Sequence, residues 1–274
     1  MKPWGKDILM GFIVGSTMSV PGISGGTMAM ALGYYTPMLK AVAHPTDRAN
    51  LGFLLRLLCG GLCGFGIGVG IIGSMMDLLP LTGTLLFTGA ILAGMGVLWK
   101  ETAGKISARG LLFFLLGLLS VLAVEKIPPN SVESSPLLSI LWGILLAAGL
   151  ILPGISTSHL LTVFGLYPDL TDLSMQNLLQ MIPLLMGAVI GTALLTKPLA
   201  YATERYPKEC AFALLGFSAG SLKGLLAAGF TSPRWSSLLW FQIPNGLLLA
   251  TAAASLIRRL GKEEKKLKNS PSAS

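Results

Sequence analysis

Charged residues are scarce in this sequence. Only 12% of its 274 residues are charged, with 20 Lys and Arg and 12 Asp and Glu, whereas a soluble domain carries about 25%. Hydrophobic residues make up 53% of the chain, and the mean hydropathy is +0.72. These values exclude an ordinary water-soluble domain and a disordered chain, and they favour a helical protein that crosses a membrane several times.

Cysteine and histidine are also rare, and their spacing indicates no metal site. The three cysteines, Cys59, Cys63 and Cys210, form no CxxC pair, which argues against a zinc site and a disulfide framework. No Walker motif is present, and the two motifs described below contain no acidic residue to orient a histidine for nucleophilic catalysis. We therefore expect no metal, no cofactor, no ATP-driven pump and no enzyme.

The distribution of positive charge indicates how the chain is oriented in the membrane rather than that it binds nucleic acid. The formal net charge is +8, and six basic residues against two acidic ones follow from Arg258 to the end of the chain. A basic segment after the last apolar run is typical of the cytoplasmic side, where it contacts anionic membrane lipids. We therefore expect membrane lipids, and no nucleic acid, as its partners.

The four-residue motif PGIS occurs twice, each time at the start of a seven-residue segment. Residues 21–27 read PGISGGT and residues 153–159 read PGISTSH, and a Gly and a Tyr follow each copy at the same distance. Weaker matches continue downstream, with Pro80 answering Pro207 and Gly60 and Gly64 answering Gly187 and Gly191. The repeat predicts two related halves, 1–124 and 137–257, with an outer linker at 125–136 and a basic cytoplasmic tail at 258–274.

Pro and Gly interrupt the apolar sequence around each motif, leaving about ten to fifteen helical residues on either side. At 1.5 Å per residue, such a piece crosses only part of a hydrocarbon core about 30 Å thick. This pattern predicts a re-entrant helical hairpin whose loop lies deep in the membrane, with one long kinked helix as the alternative.

Three candidate membrane spans follow each motif, at 50–76, 83–99 and 110–124, and at 176–196, 210–228 and 237–257. An odd number of crossings per half makes the second half inverted. With both termini in the cytoplasm, Lys126, Lys223 and Arg234 fall outside and most other cations fall inside. The predicted fold is therefore an all-α polytopic membrane protein with two inverted repeats, each a re-entrant hairpin plus about three transmembrane helices, a plan typical of secondary transporters.

The repeated loops are candidate anion sites, because N–H groups and the positive dipole end of a helix N-terminus favour negative charge. The candidate ligands are Ser24, Gly25, Gly26 and Thr27 in the first copy and Ser156, Thr157, Ser158 and His159 in the second, with Pro21, Gly22, Pro153 and Gly154 shaping the loops. Alternatively, the hydroxyls cap the helices and the glycines allow close packing. His159 is either a phosphate donor or proton carrier, or a satisfied buried histidine.

Two further groups of residues have an expected role inside the membrane. Arg56 and Lys223 lie within apolar runs, so each is either a substrate contact or a side chain that snorkels to the headgroups. Glycines four residues apart predict faces where helices pack closely, as in Gly60, Gly64 and Gly68, Gly187 and Gly191, and Gly216 and Gly220.

Three segments resemble the bacterial PopT family: MSVPGISGGTM from Met18, LPGIS from Leu152 with the later Gly165-Leu-Tyr167, and GSLK ending at Lys223. The resemblance implies a translocase that returns undecaprenyl phosphate to the cytoplasmic leaflet of the bacterial inner membrane. Moving this anion inward against the membrane potential implies coupling to protons or Na⁺. A transporter of a small soluble anion and a non-transporting scaffold are the alternatives.

Overall fold

The computed structural model describes residues 3–18, 24–102, 104, 106–126, 135–152, 160 and 181–268. All regular structure in this part of the chain is α-helical. The helices are α1 (Pro3–Thr17), α2 (Gly25–Ala31), α3 (Tyr35–Ala43), α4 (Arg48–Leu78), α5 (Pro80–Glu101), α6 (Ala108–Glu125), α7 (Pro136–Ile151), α8 (Ile182–Arg205), α9 (Pro207–Thr231) and α10 (Leu239–Lys268).

Six of these helices, α4, α5, α6, α8, α9 and α10, are long and apolar enough to cross a membrane. In α5 and α9, 56% and 50% of the apolar stretch is buried, against 17–22% in the other four. Helices α5 and α9 therefore form the centre, and the outer helices expose leucines that suit lipid contact, such as Leu62 and Leu119. The predicted multi-pass helical membrane protein is confirmed.

One predicted span differs in its bounds from the helix observed. The span expected at 176–196 begins outside the described residues, and the helix found there, α8, continues to Arg205 through Pro198. Tertiary contacts hold the last turns of α8 in place. Ala200 is buried in a core cluster, and Glu204 forms an ion pair with Lys40 of α3. Similarly, α10 runs beyond the last apolar run, so the predicted basic tail is helical as far as Lys268.

Glycines bring four pairs of helices into close contact: α1 with α4, α7 with α8, α5 with α10, and α6 with α9. A Cβ atom added to Gly64 would meet the backbone of Phe12, and one added to Gly187 would meet the backbone of Ile140. Gly216 lies in the same way against the backbone of Phe114. The predicted glycine faces are confirmed, and they leave no room for a side chain.

These pairs correspond to one another under the sequence repeat. The pair α1 and α4 matches α7 and α8, and in each pair the two helices run parallel. Helix α6 lies against α9, and α10 lies against α5, so the last helix of each predicted half packs on the other predicted half. Helices α5 and α9 meet at the centre, where Thr84 contacts Gly229 and Trp99 contacts Phe212.

The ion pairs between helices lie at the two ends of the bundle. The ion pairs Lys40–Glu204 and Asp7–Arg56 lie at the end where α1 and α4 begin, which we call the N-terminal end. The ion pair Lys223–Glu125 lies at the opposite, far end, where Arg234 also donates to the carbonyl of Asp77. The assignment of the N-terminal end to the cytoplasm stays a prediction.

Candidate functional site

Six of the predicted site residues lie in the described part of the chain, namely Ser24, Gly25, Gly26, Thr27, Arg56 and Lys223. The other eight lie outside the described residues, and their roles stay predictions. These are Pro21 and Gly22 of the first motif, and Pro153, Gly154, Ser156, Thr157, Ser158 and His159 of the second.

Ser24 is the N-cap of α2. It has extended backbone dihedral angles, and its Oγ accepts a hydrogen bond from the Thr27 amide at 3.1 Å. The two hydroxyl oxygens are 2.8 Å apart, and both residues are buried. Capping follows from the preference of serine for this position, since its oxygen satisfies an amide that the first helical turn leaves without a partner.

Helix α2 connects this buried cap to an aromatic residue at the N-terminal end. The helix ends in a Schellman motif, in which the Tyr34 amide donates to Ala29 and the Gly33 amide donates to Met30. Gly33 has a φ of +77°, which a residue without Cβ adopts at little cost. Residues 26–31 are all buried, so the helix is a rigid link between Ser24 and Tyr34.

Arg56 is paired with an acidic residue. Its Nε donates to Asp7 Oδ2 at 2.9 Å, and the Tyr34 hydroxyl donates to Asp7 Oδ1 at 3.4 Å. The Asp7 side chain is 12% exposed and the Arg56 side chain 36%. The sequence reasoning missed Asp7, although an acidic residue at the start of the apolar segment ILMGFIVG was a signal that could have found it.

Aromatic contacts complete this group. The ring of Tyr34 stacks on Phe53 with centroids 6.1 Å apart, and Lys6 Nζ lies 6.0 Å from the Tyr34 ring centroid. We call Lys6, Asp7, Tyr34 and Arg56 the Asp7 cluster. It combines two cations with one carboxylate, and such a group has an excess positive charge that can attract an anion.

Lys223 lies at the far end of the bundle, apart from Arg56. Its Nζ is 3.3 Å from Glu125 Oε2, and the two side chains are 63% and 26% exposed. The structure therefore does not bring the two predicted cations together. One lies at each end of the bundle, with Ser24 on a helix that leads away from the Asp7 cluster.

An apolar cavity of about 310 Å³ opens between α5, α6 and α9. Its lining consists of hydrophobic side chains, which are Met95, Trp99, Ile106, Leu111, Phe114, Phe212 and Leu215. A cavity with this lining can accept a hydrocarbon chain but offers nothing to a hydrated ion.

Comparison with known proteins gives the family. The model of the VCA0040-like family, described as undecaprenyl phosphate translocase-like, matches residues 14–233. The chain belongs to this family. A polyprenyl-phosphate transporter of Vibrio cholerae serotype O1 (strain ATCC 39315 / El Tor Inaba N16961) is 28% identical over 238 residues, covering 78% of this chain and 75% of that protein. No solved structure matches the chain.

The family match confirms the resemblance inferred from the repeated motifs. The matched region includes both motifs, Arg56 and Lys223. It begins after Lys6 and Asp7, so half of the Asp7 cluster precedes the region that the family model covers.

Proposed function

We propose that this protein moves undecaprenyl phosphate from the outer to the cytoplasmic leaflet of the bacterial inner membrane, so that the lipid carrier can be used again. Membership of the undecaprenyl phosphate translocase-like family is the observation that carries this proposal. The relative named polyprenyl-phosphate transporter, which covers 78% of this chain, supports the same substrate class.

The positions of the described cations suggest a path for the phosphate. In this proposal Lys223 attracts the headgroup at the far end, the paired PGIS loops hold it at depth, and Arg56 receives it at the N-terminal end. Ser16, at the end of α1, packs against Gly68, and α4 continues ten residues further, about 15 Å. This supports a first loop that lies within the thickness of the membrane rather than at its surface.

We further propose that each PGIS motif is the loop of a re-entrant hairpin in one of two inverted repeats. For the first hairpin, support comes from the contact of Tyr34, which follows α2, with Asp7 in the second turn of α1. For the repeats, support comes from the matching parallel pairs α1 with α4 and α7 with α8.

The lipid tail need not enter a sealed pore, because a polyprenyl chain can stay in the bilayer while its phosphate crosses. The apolar cavity bordered by Trp99 and Phe114 supports a lipid substrate, since a transporter of a small soluble anion has no need of such a surface. In this proposal the cavity holds part of the tail.

The phosphate also needs a counter-charge. Carrying about −1.5 to −2 charges inward against a potential of about 100 mV costs roughly 3.5–4.6 kcal/mol. We propose that protons or Na⁺ moving with the lipid supply this energy, with His159 as a candidate proton carrier.

Substitution of Ser24 tests the proposed phosphate-binding loop. Asp and Asn both cap helices as well as Ser does, and the two side chains have nearly the same shape as each other. Only Asp brings a negative charge, which repels phosphate. We expect Ser24→Asn to retain transport of undecaprenyl phosphate in proteoliposomes and Ser24→Asp to lose it. Both variants must remain monodisperse. Equal transport by the two variants would contradict a phosphate site at this loop.

A further inference from the structure

Asp7 has no part in the path proposed above, yet its carboxylate is withdrawn from water. Its side chain is 12% exposed and is held by Arg56 and Tyr34. A carboxylate at such a position in a membrane protein is costly unless it is paired, and such groups are functional more often than structural.

The other ion pairs among the described residues are more exposed. The side chains of Lys40 and Glu204 are 48% and 59% exposed, and those of Lys223 and Glu125 are 63% and 26% exposed. Exposed pairs contribute little, with a typical value of about 0–1 kcal/mol. Asp7 and Arg56 thus form the least exposed ion pair in the described part of the chain.

The sequence repeat gives this group no counterpart in the second half. With the two motifs aligned, Leu138 and Ser139 stand where the first half has Lys6 and Asp7. With Gly60 aligned to Gly187, Pro183 stands in place of Arg56. The charged cluster therefore belongs to one end of the bundle only, which suits a step that occurs at one membrane surface.

The cluster is also joined to the buried cap of the first loop. Tyr34 contacts Asp7 with its hydroxyl and closes the Schellman motif of α2 with its amide. Helix α2 is seven residues long, about 10 Å, and six of the seven are buried. Ser24 lies at its other end. Ser24 and the residue that contacts the Asp7 carboxylate therefore lie at the two ends of one short helix.

We propose that Asp7 is the resident counter-ion of Arg56. A phosphate monoester that reaches the N-terminal end displaces Asp7 from Arg56, and the return of Asp7 to Arg56 then expels the phosphate. A guanidinium can bind phosphate with two parallel hydrogen bonds, so the headgroup competes well with one carboxylate. This inference rests on the proposed function. It gives Asp7 the role of a positioning residue that limits affinity and thereby speeds release.

Binding of farnesyl phosphate, a short isoprenyl monophosphate, to the purified full chain tests the inference by titration calorimetry. We expect Asp7→Asn to lower the dissociation constant about tenfold, the factor that corresponds to 1.4 kcal/mol, and to slow transport. Arg56→Gln raises the dissociation constant. The double variant behaves like Arg56→Gln alone, because Asp7 acts only through Arg56.

Two further variants make the outcome decisive. Tyr34→Phe keeps the ring but loosens the carboxylate, so it shifts affinity in the same direction as Asp7→Asn and by less. Glu204→Gln breaks an exposed pair at the same end and should change nothing. The counter-ion role would be overturned if both Asp7→Asn and Tyr34→Phe left binding unchanged or weakened it. It would also be overturned if Asp7→Asn had the same effect on the dissociation constant in the presence of Arg56 and in the Arg56→Gln background. Absence of binding and transport by the unaltered protein would overturn the proposed function as well.

Discussion

Two glycines of α4, two positions apart, predict opposite effects of the same substitution. Gly64 is buried, and a Cβ atom there would lie 2.8 Å from the Cα and carbonyl carbon of Phe12 in α1. Gly66 is exposed on another side of the same helix, and its Cβ would meet nothing within 4 Å. Gly64→Ala therefore separates α1 from α4, whereas Gly66→Ala leaves all contacts intact.

The difference between the two variants follows from known magnitudes. Adding a methyl group to a packed contact costs about 1–3 kcal/mol, and here the obstacle is backbone, which cannot rotate away. Replacing an exposed helical glycine by alanine gains up to about 1 kcal/mol. The free energies of unfolding should therefore differ by roughly 1–4 kcal/mol, which corresponds to roughly 2–16 °C in Tm.

Thermal unfolding of the two variants in the same detergent measures this difference. Gly64→Ala should also reduce transport, because α1 carries Asp7 and leads to the first motif. Equal Tm values for the two variants, or a lower value for Gly66→Ala, would refute the close packing of α1 on α4.

Two further predictions concern the start of α5 and the coupling ion. Gln242 is fully buried, and its Oε1 accepts from the Leu81 amide at 2.9 Å, so Gln242→Leu leaves that amide without a partner and should cost about 1–3 kcal/mol in thermal unfolding. Asn245→Leu, three residues later on the same helix, is the control and should cost less. Uptake of undecaprenyl phosphate into proteoliposomes should accelerate under an imposed proton or sodium gradient, and rates indifferent to both would refute coupling.

The membrane spans could be predicted from the sequence because their apolar composition and length are local properties. Four of the six expected spans lie inside the helices observed. The span expected at 237–257 begins two residues before α10, and α8 extends past its expected end because its last turns depend on distant partners. Ala200 packs in a core cluster with Tyr35, and Glu204 pairs with Lys40. Such contacts have no signature in the surrounding ten or fifteen residues.

The glycine faces were also predictable, since a four-residue spacing places Gly60, Gly64 and Gly68 on one side of a helix whatever the partner is. The identity of the partner was not. The packing of α6 on α9 depends on the tertiary structure, and no pattern in the sequence of α6 indicates it.

The charged part of the candidate site was predicted only in part. Arg56 stood out as a cation in an apolar run, but its partner Asp7 is 49 residues away and belongs to another helix. Tyr34 enters the cluster because the Schellman motif at Gly33 turns the chain back toward α1. A pairing of this kind requires the packing of three elements to be known.

Transport of undecaprenyl phosphate by the purified protein in proteoliposomes tests the central claim most directly. Lipid placed in one leaflet should become accessible in the other faster than in protein-free liposomes, and Ser24→Asp should lower the rate to the protein-free value. A rate in protein-containing liposomes equal to that of protein-free liposomes would contradict the proposed transport function.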